Sequence, residues 1–449
     1  MAVTLHKQAN CGFVMLNSPP VNAINQKMRE DLIDAVTWAE SEGLERVILS
    51  GMGRSFAAGA DTKEFDQPAI SPHLPDVVNR IETSTVPWIA AIHGTALGGG
   101  GELALGCRYR IARANATIGF PEVVLGLVPG AGATQRLPRL VGLAEALKLI
   151  PTGKIISGKA AMAIGLVNAI DDDPVAAAKL IDQKILSEAV PLSLMKAGTD
   201  KTVSYDTARQ LAIRRMRGQE APLTAISLLE TAQTATFDDG MQKERNAFLA
   251  LRASSQARAL RHIFFAERAA KKPPKAIETQ KPTLKPLNHV IVIGGGTMGS
   301  GIAYAFLNAN IRVTILESDD AGMQRANTAI DTIISASLAS GHIDPQAATD
   351  RRNLLKVMMI QPDSDTGKWR NDNLTNVDLV IEAVFEDLAT KKEILQAIEP
   401  TLDPNAIIAT NTSYLDVNKL AACLDNPSRF VGLHFFAPAH IMKLLEIVK

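Results

Sequence analysis

The sequence predicts an α/β protein in two parts, the first completed by a helical extension and joined to the second by a linker. Three observations predict this. Short apolar strand-like runs alternate with helical stretches over residues 1–190 and again over 289–449. Over 191–270 strand signals vanish, and Ala, Leu, Gln, Glu and Arg dominate, as suits helices. Over 271–288 the runs Lys271-Lys272-Pro273-Pro274-Lys275 and Lys281-Pro282-Thr283-Leu284-Lys285-Pro286 set prolines among lysines, a semi-extended composition that no regular element tolerates.

In chain order, residues 28–42 place apolar side chains at helical spacing and predict an amphipathic helix. Val47-Ile48-Leu49 and Ile89-Ala90-Ala91-Ile92 read as short buried strands ending in glycine-containing turns. Past the linker, strands are expected at 289–293, 312–316, 378–382, 406–409 and 429–434. No internal repeat stands out.

Lys+Arg and Asp+Glu are both 47, so no global field draws the chain to nucleic acid or an anionic membrane. Any anionic ligand must be held by local groups. Cys11, Cys107 and Cys423 show neither a pairing framework nor metal-ligand spacing, and no metal is expected. There is no secretory signal at the N-terminus, and every apolar run is broken well before the length of a membrane span. A cytoplasmic protein is the expectation.

Chemistry concentrates at two places. The first is Gly98-Gly99-Gly100-Gly101-Glu102, with Pro121-Glu122 twenty residues on. Glycines let a ligand approach backbone N–H groups, and Glu102 opens an apolar helical run whose N-terminal dipole faces that turn. Phe56-Ala57-Ala58-Gly59-Ala60-Asp61 is a second small-residue turn, and two such turns can aim two N–H donors at one carbonyl oxygen. Taken singly, a glycine run is more often a tight turn, and a Glu at a helix start more often a cap. The combination AAGAD, HGTALGGGGELALGCRYRIA and GFPEVVLGLVPGAGATQRLPRLVG resembles the crotonase (enoyl-CoA hydratase/isomerase) superfamily over residues 10–190. The resemblance implies a spiral ββα fold acting on acyl-CoA thioesters. It makes the Ala58 and Gly99 N–H groups the oxyanion hole. It gives Glu122 the C2 proton and Glu102 the activation of water. Having both glutamates favours hydration; a Δ3–Δ2 double-bond shift needs only one of them.

The second place is a GxGxxG turn, Gly294, Gly296 and Gly299, following the apolar strand HVIVI and opening a helix, which is a dinucleotide-binding context. The next strand ends at Glu317, where a carboxylate binds ribose hydroxyls and repels a 2′-phosphate, so NAD is expected over NADP. DLVIEAVFEDLATKKEIL, ATNTSYLDVNKLA and RFVGLHFFAPAHIMKLLEIV are similar to the 3-hydroxyacyl-CoA dehydrogenase family over 288–449. That similarity implies His434 as the base taking the hydroxyl proton, Glu446 as its orienting acid and Ser413 as a hydrogen-bonding partner of the substrate oxygen. It places Glu386 and Lys391 along the cofactor. Ala437 stands where many members have Asn.

Hydratase, linker, dehydrogenase is the order of the multifunctional fatty-acid β-oxidation enzymes, peroxisomal type-1 or bacterial oxidation-complex α subunit. That likeness implies a catalytic Asn and a helical domain beyond Lys449, so the chain is expected to be C-terminally truncated and to dehydrogenate poorly. It makes a peroxisomal location the alternative to a cytoplasmic one, and allows a thiolase partner or a homo-oligomer. The competing readings are a non-catalytic CoA- and nucleotide-binding relic and an enzyme of another crotonase chemistry.

Overall fold

The computed structural model describes residues 2–65, 67–68, 70–198, 203–272, 285–360, 374 and 376–449. Most of the expected linker, 273–284, lies outside the described residues. The chain divides into two compact units, Met1–Lys275 and Ala276–Lys449.

Among the described residues the first unit holds nine strands: β1 (Val3–Gln8), β2 (Cys11–Leu16), β3 (Arg46–Gly51), β4 (Trp88–Ile92), β5 (Thr95–Leu97), β6 (Tyr109–Ala112), β7 (Thr117–Gly119), β8 (Ile155–Ser157) and β9 (Ala169–Ile170). They form two sheets, ordered β1-β2-β3-β4-β6-β9 and β5-β7-β8. After β1 and β2, which pair antiparallel, the larger sheet is parallel. Consecutive strands feed different sheets: β4 then β5, and β6 then β7, each pair followed by a helical turn. This is the expected ββα spiral. The parallel strands are buried on both faces, so β4 is wholly buried and reads as an unbroken apolar run.

The predicted 28–42 helix spans Gln26–Ser41, beginning earlier because the Asn25 side chain accepts the Met28 N–H at 3.0 Å. It buries Met28, Leu32, Ala35, Val36 and Ala39, one face at helical spacing. The strandless stretch after Pro191 contains the helices Tyr205–Arg215, Ala221–Thr234, Phe237–Ala253 and Ser255–Ala270. Ala221, Ala225, Leu228, Leu229, Leu251 and Ala257 join the same core as the strands, so the last three of these helices are integral to the first unit.

The second unit is one sheet of β10 (His289–Ile293), β11 (Arg312–Glu317), β12 (Leu355–Met359), β13 (Leu379–Glu382), β14 (Ile407–Thr410), β15 (Phe430–Phe435) and β16 (Leu445–Val448). The order is β12-β11-β10-β13-β14-β15-β16, parallel except for β16. Two apolar clusters flank it, one holding Val290, Val292 and Ile315, the other Ile291, Ile293 and Val380, as alternation along central strands requires. The strand order reverses between β10 and β13, where doubly wound sheets bind nucleotides.

Candidate active site

In the first unit three turns converge. Ala57 bridges Ala96, and the Gly98 N–H donates to Gly119 O at 2.9 Å, bringing together the turns at 56–61, 98–102 and 119–125. Gly98 sits at φ +52°, and a Cβ there would lie 2.9 Å from Glu122 Oε1. Only glycine lets the Glu122 carboxyl rest against this backbone. Gly98 O accepts the Glu102 N–H at 2.9 Å, so Glu102 starts the first helical turn beyond it.

The amides correct one expectation. The Ala58 N–H donates to Val21 O at 3.0 Å and is occupied within the fold. The available amide of that turn belongs to Ala60. Ala60 pairs with Ile24 in a parallel bridge formed by Ile24 N to Gly59 O and Asp61 N to Ile24 O, which uses the neighbours' groups and turns the Ala60 N–H the other way. Among the described residues the Ala60 N–H has no acceptor. A methyl built on Gly99 would lie 3.4 Å from Ala60 N, and one built on Gly59 3.7 Å from Gly99 N. Gly99 opens the Gly99–Gly106 helix, so its N–H has no partner inside the helix. Ala60 and Gly99, not Ala58 and Gly99, form the converging pair. The positive φ of Gly59, +99°, redirects the chain between the two alanines.

Glu102 is 3% exposed, and its Oε1 accepts the Ala131 N–H at 2.8 Å and the Ala133 N–H at 3.2 Å. Glu122 Oε2 is buried with no hydrogen-bond partner. Sequence reading missed a third carboxyl, Glu244 of the Phe237–Ala253 helix. It accepts the Gly132 N–H at 2.6 Å, the Thr134 N–H at 2.9 Å and the Thr134 hydroxyl at 2.6 Å. Burial pushes Glu102 up to about 7, against the pull of its two amides. Burial, then the Glu102 charge, pushes Glu244 up to about 8. Burial and the charges of Glu102 and Glu244 raise Glu122 well above the carboxylate range. Three such groups cannot all ionise at neutral pH. Donors decide which keep their charge: two N–H groups face Glu102, three donors face Glu244, and none faces Glu122 Oε2. Glu122 is therefore the last of the three to give up its proton.

In the second unit, Gly294 has φ +90° and a Cβ on Gly299 would lie 1.7 Å from Gly294 O, so the strand-to-helix turn closes only with glycine. A Cβ on Gly296 would meet nothing within 4 Å, leaving open space at the N-terminus of the Thr297–Asn308 helix. Glu317, ending β11, accepts the Gly295 N–H and so stands at this turn. These residues fit a dinucleotide: space and free helix-end donors for the pyrophosphate, and a carboxylate for a ribose.

His434 and Glu446 are direct cross-strand partners on β15 and β16, with His434 Nδ1 2.8 Å from Glu446 Oε2. The twelve-residue separation is thus a hairpin register. Glu386 Oε1 accepts the Thr412 hydroxyl at 2.6 Å and the Ser413 N–H at 2.7 Å, fixing the loop after β14 while the Ser413 side chain stays exposed. Burial opposes the charge of Glu386, yet hydrogen bonds from Thr412, Ser413 and Lys391 hold it below the usual carboxylate range. Lys391 is 1% exposed, with its Nζ 2.7 Å from Glu382 and 3.1 Å from Glu386. Its ammonium is shared between these two carboxylates. Phe435 N donates to Asn411 Oδ1 at 2.9 Å, tying the Ser413 loop to the His434 strand.

Comparison with known proteins gives two family matches: enoyl-CoA hydratase/isomerase over residues 6–243, and the NAD-binding domain of 3-hydroxyacyl-CoA dehydrogenase over 289–449. The chain is 36% identical to the peroxisomal bifunctional enzyme of Cavia porcellus, with 100% of this chain and 62% of that protein covered. It is 34% identical to a peroxisomal fatty acid beta-oxidation multifunctional protein of Oryza sativa subsp. japonica, covering 97% and 61%. With the fatty acid oxidation complex subunit alpha of Shewanella baltica the identity is 33%, covering 94% and 60%. The chain thus spans about three fifths of the length of these relatives. It belongs to the enoyl-CoA hydratase/isomerase family and carries, in its second unit, the NAD-binding domain of the 3-hydroxyacyl-CoA dehydrogenases.

Proposed function

We propose that this chain performs two consecutive steps of fatty-acid β-oxidation on acyl-CoA thioesters: hydration of trans-2-enoyl-CoA to 3-hydroxyacyl-CoA, then NAD-dependent oxidation to 3-ketoacyl-CoA. The observation that carries the reading is the buried Glu122 Oε2, unpartnered among the described residues and resting against the Gly98 turn, together with the Ala60 and Gly99 amides, which have no acceptor among the described residues. In the first step the Ala60 and Gly99 N–H groups hold the thioester oxygen. Glu102 takes a proton from water as its oxygen bonds to C3. The π electrons move onto the thioester, where the two amides stabilise the enolate, and Glu122 protonates C2. Exchange of one proton between the two carboxyls restores the start. Each amide contributes about 3 kcal/mol to the transition state, and each acid–base group roughly 10²–10⁴-fold in rate. A Δ3–Δ2 shift needs one proton shuttle, the Glu122 carboxylate in its ionised form taking a proton from C2 and returning it to C4, and belongs to the same site as a side activity.

In the second step His434 takes the hydroxyl proton through Nε2 while Glu446, on Nδ1, fixes the tautomer and stabilises the imidazolium. The Ser413 hydroxyl donates to the substrate oxygen. Gly294, Gly296, Gly299 and Glu317 hold NAD, which when bound supplies the hydride acceptor, and Glu386, backed by Lys391, fixes the loop between cofactor and substrate. The helices of 191–270 belong, in this reading, to the hydratase half. It extends to a cytoplasmic or peroxisomal enzyme, free, self-associated or bound to a thiolase. Size-exclusion chromatography with and without thiolase separates those states.

The test is to incubate the chain with trans-2-enoyl-CoA, follow loss of the conjugated thioester absorbance, then add NAD and follow NADH. Loss of the absorbance is expected, with NADH only after NAD is added. An unchanged absorbance refutes the hydratase reading; absence of NADH refutes the oxidising step in this chain.

A further inference from the structure

One four-residue turn of the first unit is held by two different carboxylates in alternation. Glu102 takes the amides of Ala131 and Ala133, and Glu244 takes those of Gly132 and Thr134 together with the Thr134 hydroxyl. Gly132 lies at φ +105°, and Arg136 Nη1 donates to Ala131 O at 3.0 Å from the other side. The turn therefore owes its shape to Glu244, 110 residues away from Thr134 and 112 from Gly132. Resting on the hydratase reading above, we propose that Glu244 is a positioning residue of the hydration step: it fixes the Ala131–Thr134 turn so that the two remaining amides grip Glu102 and aim its carboxylate at the water.

A neutral acceptor would hold the turn at lower cost, since a second buried carboxylate beside Glu102 must be desolvated and repels it. What the charge adds is its effect on the acids. It is among the causes that raise Glu122, and the Glu102 charge raises Glu244 in return. The charged groups coupled to Glu244 are Glu102, Glu122 and, on its own helix, Arg245, while Arg136 of the Ala133–Val141 helix acts on Glu102. Arg261, on the next helix, lies over the Phe65 ring, 5.9 Å from its centroid. Removing the Glu244 charge lets Glu122 release its proton at lower pH. A general acid that fails earlier shortens the alkaline side of the rate profile.

The experiment measures kcat, KM and the pH profile of enoyl-CoA hydration for the unaltered chain, Glu244→Gln and Glu244→Asp. Glutamine keeps the shape but turns an NH₂ toward a donor N–H; aspartate keeps the charge on a shorter stem. Glu244→Gln is expected to lower kcat by about tenfold or more, with KM within about threefold, because one supporting hydrogen-bond set of an acid–base group is lost. Its alkaline limb moves to lower pH. Glu244→Asp keeps the limb in place and recovers part of kcat. An unmoved limb with unchanged kcat in Glu244→Gln overturns the proposal. Equal loss in both variants with the limb unmoved, or loss of the fold in both, overturns it in favour of a purely structural role. Failure of the unaltered chain to hydrate at any pH strikes the hydratase reading itself.

Discussion

Gly98 is the residue at which backbone and chemistry are least separable. Its positive φ and the Glu122 oxygen 2.9 Å from where a Cβ would be leave no room for a side chain. Gly98→Ala is expected to displace the Glu122 carboxyl and lower hydratase kcat by about 10²-fold or more, as expected for a misplaced acid. Steady-state kinetics with trans-2-enoyl-CoA checks it, and NADH formation by the second unit from 3-hydroxyacyl-CoA should be unaffected. The small-residue turn at 56–61 was legible as a donor site, but which of its amides faces inward was not. The Ala58 N–H is taken by Val21 O, whereas the Ile24–Ala60 bridge uses its neighbours' groups and leaves the Ala60 N–H without an acceptor among the described residues; no local pattern encodes these tertiary pairings. Glu244 was illegible for a related reason: it lies inside a helix, with no glycine-rich turn or strand signal beside it, and only the fold brings it beside Glu102.

At the level of elements, the three buried carboxyls link pH to stability. Their pKa values are raised in the folded state above the unfolded carboxylate range, so the folded state holds protons more tightly. The stability they contribute is present below the unfolded pKa and is lost as pH rises through about 7 and about 8. Calorimetric melting of the first unit should therefore move to lower temperature between about pH 5 and about pH 8, and Glu244→Gln should flatten that slope. A melting temperature that rises over this window contradicts the assignment. In the second unit, Lys391→Met leaves Glu382 and Glu386 without their shared cation and should destabilise it by about 3–5 kcal/mol, read by urea unfolding. Element legibility followed local pattern. The strands expected at 289–293, 312–316, 378–382, 406–409 and 429–434 appear within a residue of their observed bounds, because buried parallel strands are uninterrupted apolar runs. Strands β12 and β16 were not read: β12 is only half-buried and β16 exposed, so neither carries that signature.

At the scale of the whole molecule, the two units have separate sheets and separate apolar clusters, and the proposed function gives each its own acid–base set. The dinucleotide-binding fold of the second unit was legible because its glycine-bearing motif demands its context, strand before and helix after, whereas the ββα spiral of the first was reached only through the crotonase resemblance. The linker lies mostly beyond the described residues. The reading requires that the chemistries be separable by single substitutions. The most direct measurement is one two-stage assay, enoyl thioester absorbance and then NADH, run on Glu122→Gln and His434→Ala. The account predicts that Glu122→Gln loses hydration by about 10²–10⁴-fold while still oxidising supplied 3-hydroxyacyl-CoA, and that His434→Ala does the reverse. Full hydration by Glu122→Gln, or loss of both steps in either variant, would contradict it.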